Sequence, residues 1–106
     1  MEFFAHCGML TLKPEGLAES VAKVEKGLLD LVGVIPGLVK ATVGATAEVR
    51  PDTASVLFIM EFDSEDSWAA YGGHPAHQAV VADAIAPVLV EKKFFQTRNL
   101  QSRSAQ

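Results

Sequence analysis

The residues in this sequence best suited to acid–base chemistry are three histidines and one tyrosine, the only residues of their types in the chain. Tyr71, His74 and His77 lie close together in the sequence, and His6 lies near the beginning of it. An imidazole exchanges a proton near neutral pH, so a histidine can act as a general base. A tyrosine hydroxyl can donate a hydrogen bond to a carbonyl oxygen on which negative charge develops.

His77 and Tyr71 could form such a base and donor pair. Pro75 is tolerated in the first turn of a helix, which places His77 in that turn, where the positive end of the helix favours a neutral imidazole by lowering its pKa. The break at Gly72-Gly73 would let the chain fold the ring of Tyr71 over His77. A Tyr–His hydrogen bond that only ties two helices together fits the same residues equally well.

His74 is predicted as a structural cap rather than as a ligand. It directly precedes Pro75, which gives it an extended backbone, and it would therefore cap the helix that begins there. The i, i+3 spacing of His74 and His77 also invites a metal interpretation. No carboxylate or thiolate lies nearby at ligand spacing, and two imidazoles rarely hold zinc alone, so we predict no metal.

The elements that must position these residues follow from the apolar pattern and the turn signals. The order is β, α, β, β, α(α), β. The first half is predicted as a strand over Glu2 to Leu12 and a helix of about twenty residues with an apolar stripe from Leu17 to Leu31. A strand over Leu38 to Arg50, a turn at Pro51-Asp52 and a strand over Ala54 to Phe62 follow. The last part is predicted as a short helix capped by Ser64, a helix from Pro75 and a strand over Phe94 to Asn99. Pro87 should loosen the last turn of the final helix, since it lacks the N–H that would bond Asp83.

His6 shares one face of the first strand with Gly8. A glycine inside a strand leaves a hole in the side-chain layer, and a hole beside His6 could be part of a cavity if this face meets the helices. The alternative is a packed core in which Trp68 or Phe58 fills the gap. Phe58 and Trp68 are more often core residues than substrate contacts.

Both faces of the predicted sheet are apolar, whereas one chain supplies helices for only one of them. The uncovered face would carry Cys7, Met9, Leu57 and Ile59. Two copies that pack face to face would bury it, so we predict a homodimer.

Composition narrows the remaining function classes. The net charge is −4, and no basic run is longer than Lys92-Lys93, which argues against a nucleic-acid partner. The single cysteine, Cys7, and the absence of a signal peptide pattern or a long apolar segment predict a cytoplasmic protein with no membrane partner. We expect one domain over residues 1–100 and a polar tail over 101–106.

The segment from Tyr71 to His77, YGGHPAH, resembles the "Y-x-x-HPAH" pattern of the stress-responsive dimeric A/B-barrel (Dabb) family. Ala5-His6, Lys13-Pro14 and Glu61-Phe62-Asp63 also match this family, and the resemblance covers about Phe4 to Thr97. It implies a ferredoxin-like α+β subunit that pairs into a dimeric α+β barrel.

The resemblance extends to cyclases of the olivetolic acid type, which close polyketides by a cofactor-free aldol condensation. It implies His77, Tyr71 and His6 as catalytic residues, no cofactor, and a pocket position at Val56. With the glycine hole beside His6, we expect a small-molecule pocket that also includes Phe58, Trp68 and Gly8. Val56 stands where the cyclase has a histidine, which predicts a different substrate. The alternatives are a non-catalytic stress-responsive binding protein and, less favoured, a cofactor-independent monooxygenase.

Overall fold

In the computed structural model, residues 3–47, 49 and 54–105 are described, and they form one antiparallel sheet with helices on one face. The elements in chain order are β1 (Phe4–Leu12), α1 (Leu17–Leu29), β2 (Leu38–Ala45), β3 (Val56–Phe62), α2 (Glu65–Tyr71), α3 (Pro75–Val80) and β4 (Leu89–Thr97), with a π-helical turn over Val81–Ile85 directly after α3. The strand order is β2-β3-β1-β4, and each neighbouring pair is antiparallel. This is the ferredoxin-like βαββαβ arrangement.

The alternation of side chains along β1 decides which residues meet the helices. Leu10 and Leu12 of β1 join the buried cluster together with Val24 and Leu28 of α1. Phe4, His6 and Gly8 have the same parity as Leu10 and therefore lie on the helix-facing side of the sheet. The even-numbered residues of β3, from Val56 to Phe62, complete this core.

Several element boundaries differ from the sequence prediction. β2 ends at Ala45 instead of Arg50, and the predicted turn at Pro51-Asp52 lies outside the described residues. β3 begins at Val56. Just before it, the Ser55 N–H donates to the Leu10 carbonyl, and the Ser55 hydroxyl accepts from the Leu12 N–H in place of a backbone carbonyl.

The last helix loosens before Pro87, whereas the sequence predicted that the proline itself would loosen it. The Ala86 N–H donates to the carbonyl of Val81, five residues back, so the helix widens into a π turn before the proline is reached. Pro87 lies beyond this turn. β4 then starts at Leu89, five residues before the predicted Phe94, and Leu89 pairs with Leu12.

None of the helices in the described ranges is long and apolar enough to cross a membrane.

Candidate active site

A cavity of about 390 Å³ lies between the helices and the sheet. Its polar lining residues come from four different elements or junctions: His6, Tyr71, His77 and Lys92. The rest of the lining is apolar and comprises Leu10, Leu28, Phe58, Val81, Ile85, Ala86, Leu89 and Phe94. An apolar space with a few convergent polar groups is the usual form of a small-molecule site.

The rings of Tyr71 and His77 contact each other at this cavity, with their planes tilted by 44°. Ser64 caps α2 by accepting a hydrogen bond from the Ser67 N–H, and Tyr71 is the last residue of that helix. The chain then turns through Gly72-Gly73 into α3, which brings the two ring centroids to 4.1 Å. The contact predicted from the glycine break is therefore present in the structure.

The backbone fixes which nitrogen of His77 carries a proton. The Nδ1 atom lies 3.3 Å from the carbonyl oxygen of Gly72. A carbonyl can only accept, so Nδ1 must donate, and the lone pair of the neutral ring is then on Nε2. His77 thus has the tautomer that a general base needs.

Burial lowers the pKa of His77 below its ordinary value of 6.5, and the nearby His74 lowers it further, while the hydrogen bond to Gly72 opposes the shift. The direction matches the sequence prediction, but the main cause is loss of solvent rather than the end of a helix.

Tyr71 is held in its neutral form. Its side chain is 5% exposed, and burial raises the pKa of its hydroxyl to about 12. The desolvated phenolate is disfavoured, so the hydroxyl remains a hydrogen-bond donor at neutral pH.

His6 lies on the opposite wall, with its ring centroid 6.5 Å from that of Tyr71. Burial lowers its pKa below 6.5, and the Coulombic effect of His77 lowers it further. Its Nδ1 atom lies 3.0 Å from Nε2 of Gln96 on β4. Gln96 was not predicted from the sequence as a site residue. The signal was its place in the last predicted strand, but only the register of β4 against β1 pairs it with His6.

The remaining residues predicted to bind substrate lie in different places. Phe58 lines the cavity. The space above Gly8 is filled, since a Cβ atom there would lie 2.4 Å from the Phe58 ring and 2.7 Å from the Phe94 ring. The hole predicted at Gly8 is therefore packed by two rings, and these rings themselves line the cavity.

Val56 and Trp68 are not among the described residues that line the cavity. Val56 is fully buried in the core. Trp68 packs on Phe4, with ring centroids 5.0 Å apart, and reaches the site only through its 6.0 Å contact with His6. Trp68 therefore packs against the His6 ring without lining the cavity.

His74 faces its own helix. Its Nδ1 atom accepts a hydrogen bond from the Ala76 N–H at 3.0 Å, and Pro75 occupies the first turn of α3. This is the predicted cap. Within the described ranges, no group of three or more histidine, cysteine, aspartate or glutamate side chains is arranged to hold a metal ion.

Cys7 lies on the other face of the sheet from His6. It pairs with Ile59 of β3 and Phe95 of β4. Burial raises the pKa of its thiol, and the nearby Glu61 raises it further. A buried thiol of raised pKa on the far side of the sheet is not a nucleophile for this cavity.

Comparison with known proteins identifies the family. The sequence model of the stress responsive A/B barrel domain (Dabb) matches residues 4–95. The chain belongs to the Dabb family. Among curated proteins, none matches the chain significantly.

Solved structures share this Dabb fold. A dimeric ferredoxin-like protein of unknown function from Thermobifida fusca is 26% identical, with a TM-score of 0.79 and 92% of each chain covered. A Dabb family protein from Mesorhizobium loti is 20% identical, with a TM-score of 0.74, and the match covers 95% of this chain and 100% of that one. A protein from Bacteroides thetaiotaomicron, provisionally named an antibiotic biosynthesis monooxygenase, is 14% identical with a TM-score of 0.74, over 98% and 95% of the two chains.

Proposed function

We propose that this Dabb protein is a cofactor-independent enzyme that acts on a small enolisable carbonyl compound of the polyketide type and closes it by an aldol reaction. The observation that carries the proposal is the ring contact of Tyr71 and His77, in which the Gly72 carbonyl accepts the Nδ1 proton of His77. A base and a neutral donor thus face the same cavity.

The reaction begins when Nε2 of His77 removes a proton from the carbon next to a substrate carbonyl. Tyr71 donates a hydrogen bond to the carbonyl oxygen, on which the enolate charge develops. The enolate carbon attacks a second carbonyl of the same molecule and forms the new carbon–carbon bond. The protonated His77 then returns its proton to the resulting alkoxide, so that the ring closure is a net isomerisation.

His6 acts as a second donor in this scheme. If the Gln96 amide donates to Nδ1 of His6, the proton of the neutral ring is on Nε2. His6 would then bind a second oxygen of the substrate rather than compete with His77 for the proton. Phe58 forms part of the apolar wall of the cavity beside His6.

The active form is proposed to be a homodimer. The sheet face away from the helices exposes Met9, Leu57 and Phe95, whose exposed fractions are 39%, 42% and 50%. Apolar side chains in such a continuous array favour a protein contact. The similar protein from Thermobifida fusca is described as dimeric, which supports a second copy as the partner.

A screen of β-polyketide thioesters and other enolisable carbonyl compounds tests the enzyme proposal. Wild type should turn over at least one of them, and His77→Ala should lose about 10² to 10⁴ in rate, as is typical for loss of a general base. His74→Asn is the matched control, because asparagine retains a capping side chain three residues away. If wild type turns over nothing faster than His77→Ala does, the binding-protein interpretation replaces this one.

A cofactor-independent monooxygenase is the second candidate. The name of the Bacteroides thetaiotaomicron structure favours it, and the same base could form the carbanion that reacts with oxygen. Oxygen uptake with anthrone or quinol substrates, dependent on His77, would favour it over the cyclase.

A further inference from the structure

Lys92 gives the cavity a positive charge at its rim. On β4 it pairs with Leu10, while Phe94 pairs with Gly8 and Gln96 with His6. Lys92, Phe94 and Gln96 therefore share the helix-facing side of the strand, because side chains two apart point the same way. Lys92 lines the cavity four residues along β4 from Gln96, the partner of His6.

The ammonium group of Lys92 leans back towards the catalytic end. Its Nζ atom lies 5.3 Å from the centre of the Phe94 ring, and that ring centre lies 5.2 Å from the centre of the His6 ring. The sum of these two distances limits the separation of Nζ from the His6 ring centre to about 10.5 Å. The aromatic face also stabilises the cation in this position.

Of the described residues that line the cavity, none carries a negative charge that could compensate Lys92. Among the described residues that line it, Lys92 is the only one charged at neutral pH, since burial lowers the pKa of both histidines and keeps Tyr71 neutral. The other lining side chains are apolar. The described salt bridges involve Lys26 and Arg98, and neither includes Lys92.

We propose that Lys92 selects substrates that carry an anionic oxygen group, a carboxylate or a phosphate, and holds that group at the cavity rim, within about 10.5 Å of the His6 ring centre. The apolar body of such a molecule would contact Leu28, Ile85 and Leu89, and its negative end would meet the ammonium group at the rim. Lys92 is a specificity residue in this scheme and takes no part in proton transfer. The statement that a bound anion is a substrate rests on the proposed function. The preference for an anion concerns binding alone and can be measured without any reaction.

Paired probes of the same size separate charge from apolar contact. 4-Pentylbenzoate and 4-pentylbenzamide have the same apolar body and differ in charge, and 4-pentylphenyl phosphate distinguishes phosphate from carboxylate. Wild type should bind at least one anionic probe more tightly than the amide in calorimetric titration. Lys92→Gln should weaken binding of that anion by about 5- to 20-fold, the range between an exposed ion pair and a charge-assisted hydrogen bond, and leave the amide unchanged.

Two further variants serve as controls. Lys92→Arg retains the charge and should retain most of the preference. Lys93→Gln removes the same charge from the neighbouring position, whose partner is Met9 on the other sheet face, and should change neither affinity. Equal losses for the anion and the amide in Lys92→Gln, or no preference for either anion in wild type, would overturn the inference.

The outcome also separates this inference from the proposed enzyme. If the anion preference depends on Lys92 but no turnover depends on His77, the cavity is a binding site and the enzyme proposal is wrong. If turnover depends on His77 but there is no anion preference, the enzyme proposal stands and the proposed role of Lys92 is wrong.

Discussion

The Gln96 amide and the His6 imidazole meet across two neighbouring strands, with 3.0 Å between Nε2 and Nδ1, although 90 positions separate them in the chain. β1 and β4 pair these two residues directly. Phe58 and Phe94 enclose the ring of His6, with centroids 5.4 and 5.2 Å away. Gln96 is thus a positioning residue for a histidine that has little freedom to turn.

We predict that Gln96→Glu raises the pKa of His6. A carboxylate beside the imidazole favours its protonated form, whereas the amide does not. The measurement is an NMR titration of the His6 ring protons in wild type and variant. Gln101→Glu adds the same charge in the exposed C-terminal segment and should leave this titration unchanged; an equal response to both variants would argue against the contact.

The sequence predicted the parts of this site that depend on local pattern. Alternation along β1 placed His6 on the helix-facing side and Cys7 on the other, and the Gly72-Gly73 break predicted the contact of Tyr71 with His77. Each of these depends on a few neighbouring residues and on regular side-chain periods.

The parts that it missed depend on long-range register and packing. Gln96 meets His6 only because β4 pairs with β1 in one register. The start of β4 at Leu89 was also missed, because the residues before Pro87 have a helical pattern. The glycine at position 8 signalled space, but which side chain fills that space depends on the rotamers of Phe58 and Phe94.

Tyr71→Phe tests the donor role without changing the ring contact. The variant should lose about 10- to 10³-fold in rate, as expected for one hydrogen bond to developing charge. Combined with His77→Ala, the losses should not multiply, because the two residues act on the same step. Steady-state kinetics of the four proteins measures this, and fully multiplicative losses would show that the two side chains act independently.

The lowered pKa values of His6 and His77 predict how stability depends on pH. Below about pH 6.5 the unfolded chain binds protons at both positions that the folded protein does not yet bind. The free energy of unfolding should therefore decrease as pH falls from 6.5 towards the folded-state values, and these two groups should contribute no slope well above 6.5. Urea unfolding at a series of pH values measures the slope, and His77→Gln should reduce it.

The same shift predicts the acid limb of the pH–rate profile. The neutral form of His77 is the base, so kcat/KM should rise with pH and level off below the ordinary histidine value of 6.5. A midpoint above 6.5 would contradict a buried, neutral base at this position.

Leu57→Asp tests the proposed dimer face. Leu57 lies in β3 on the face away from the helices, where an unpaired charge buried in an interface is costly. The variant should sediment as a monomer or aggregate at micromolar concentration. Val34→Asp is the control, since Val34 is a similarly exposed residue between α1 and β2 and off the sheet. A wild type that sediments as a stable monomer would rule out the dimer.

Gly8→Ala decides whether the space above β1 belongs to the cavity or to the packed wall. The added Cβ atom would lie 2.4 Å from the Phe58 ring and 2.7 Å from the Phe94 ring, and Phe58 is buried in the core. One of the rings must move, so the variant should lose about 1–3 kcal/mol of stability, as overpacked cores do.

Gly44→Ala is the matched control in β2, since a Cβ atom there meets nothing within 4 Å. The control should be neutral or more stable by about 0.4–1 kcal/mol, because alanine restricts the unfolded chain. Urea unfolding of both variants measures the difference. If Gly8→Ala is as stable as Gly44→Ala, the two rings are free to move, and the position of Gly8 belongs to the cavity rather than to a packed wall.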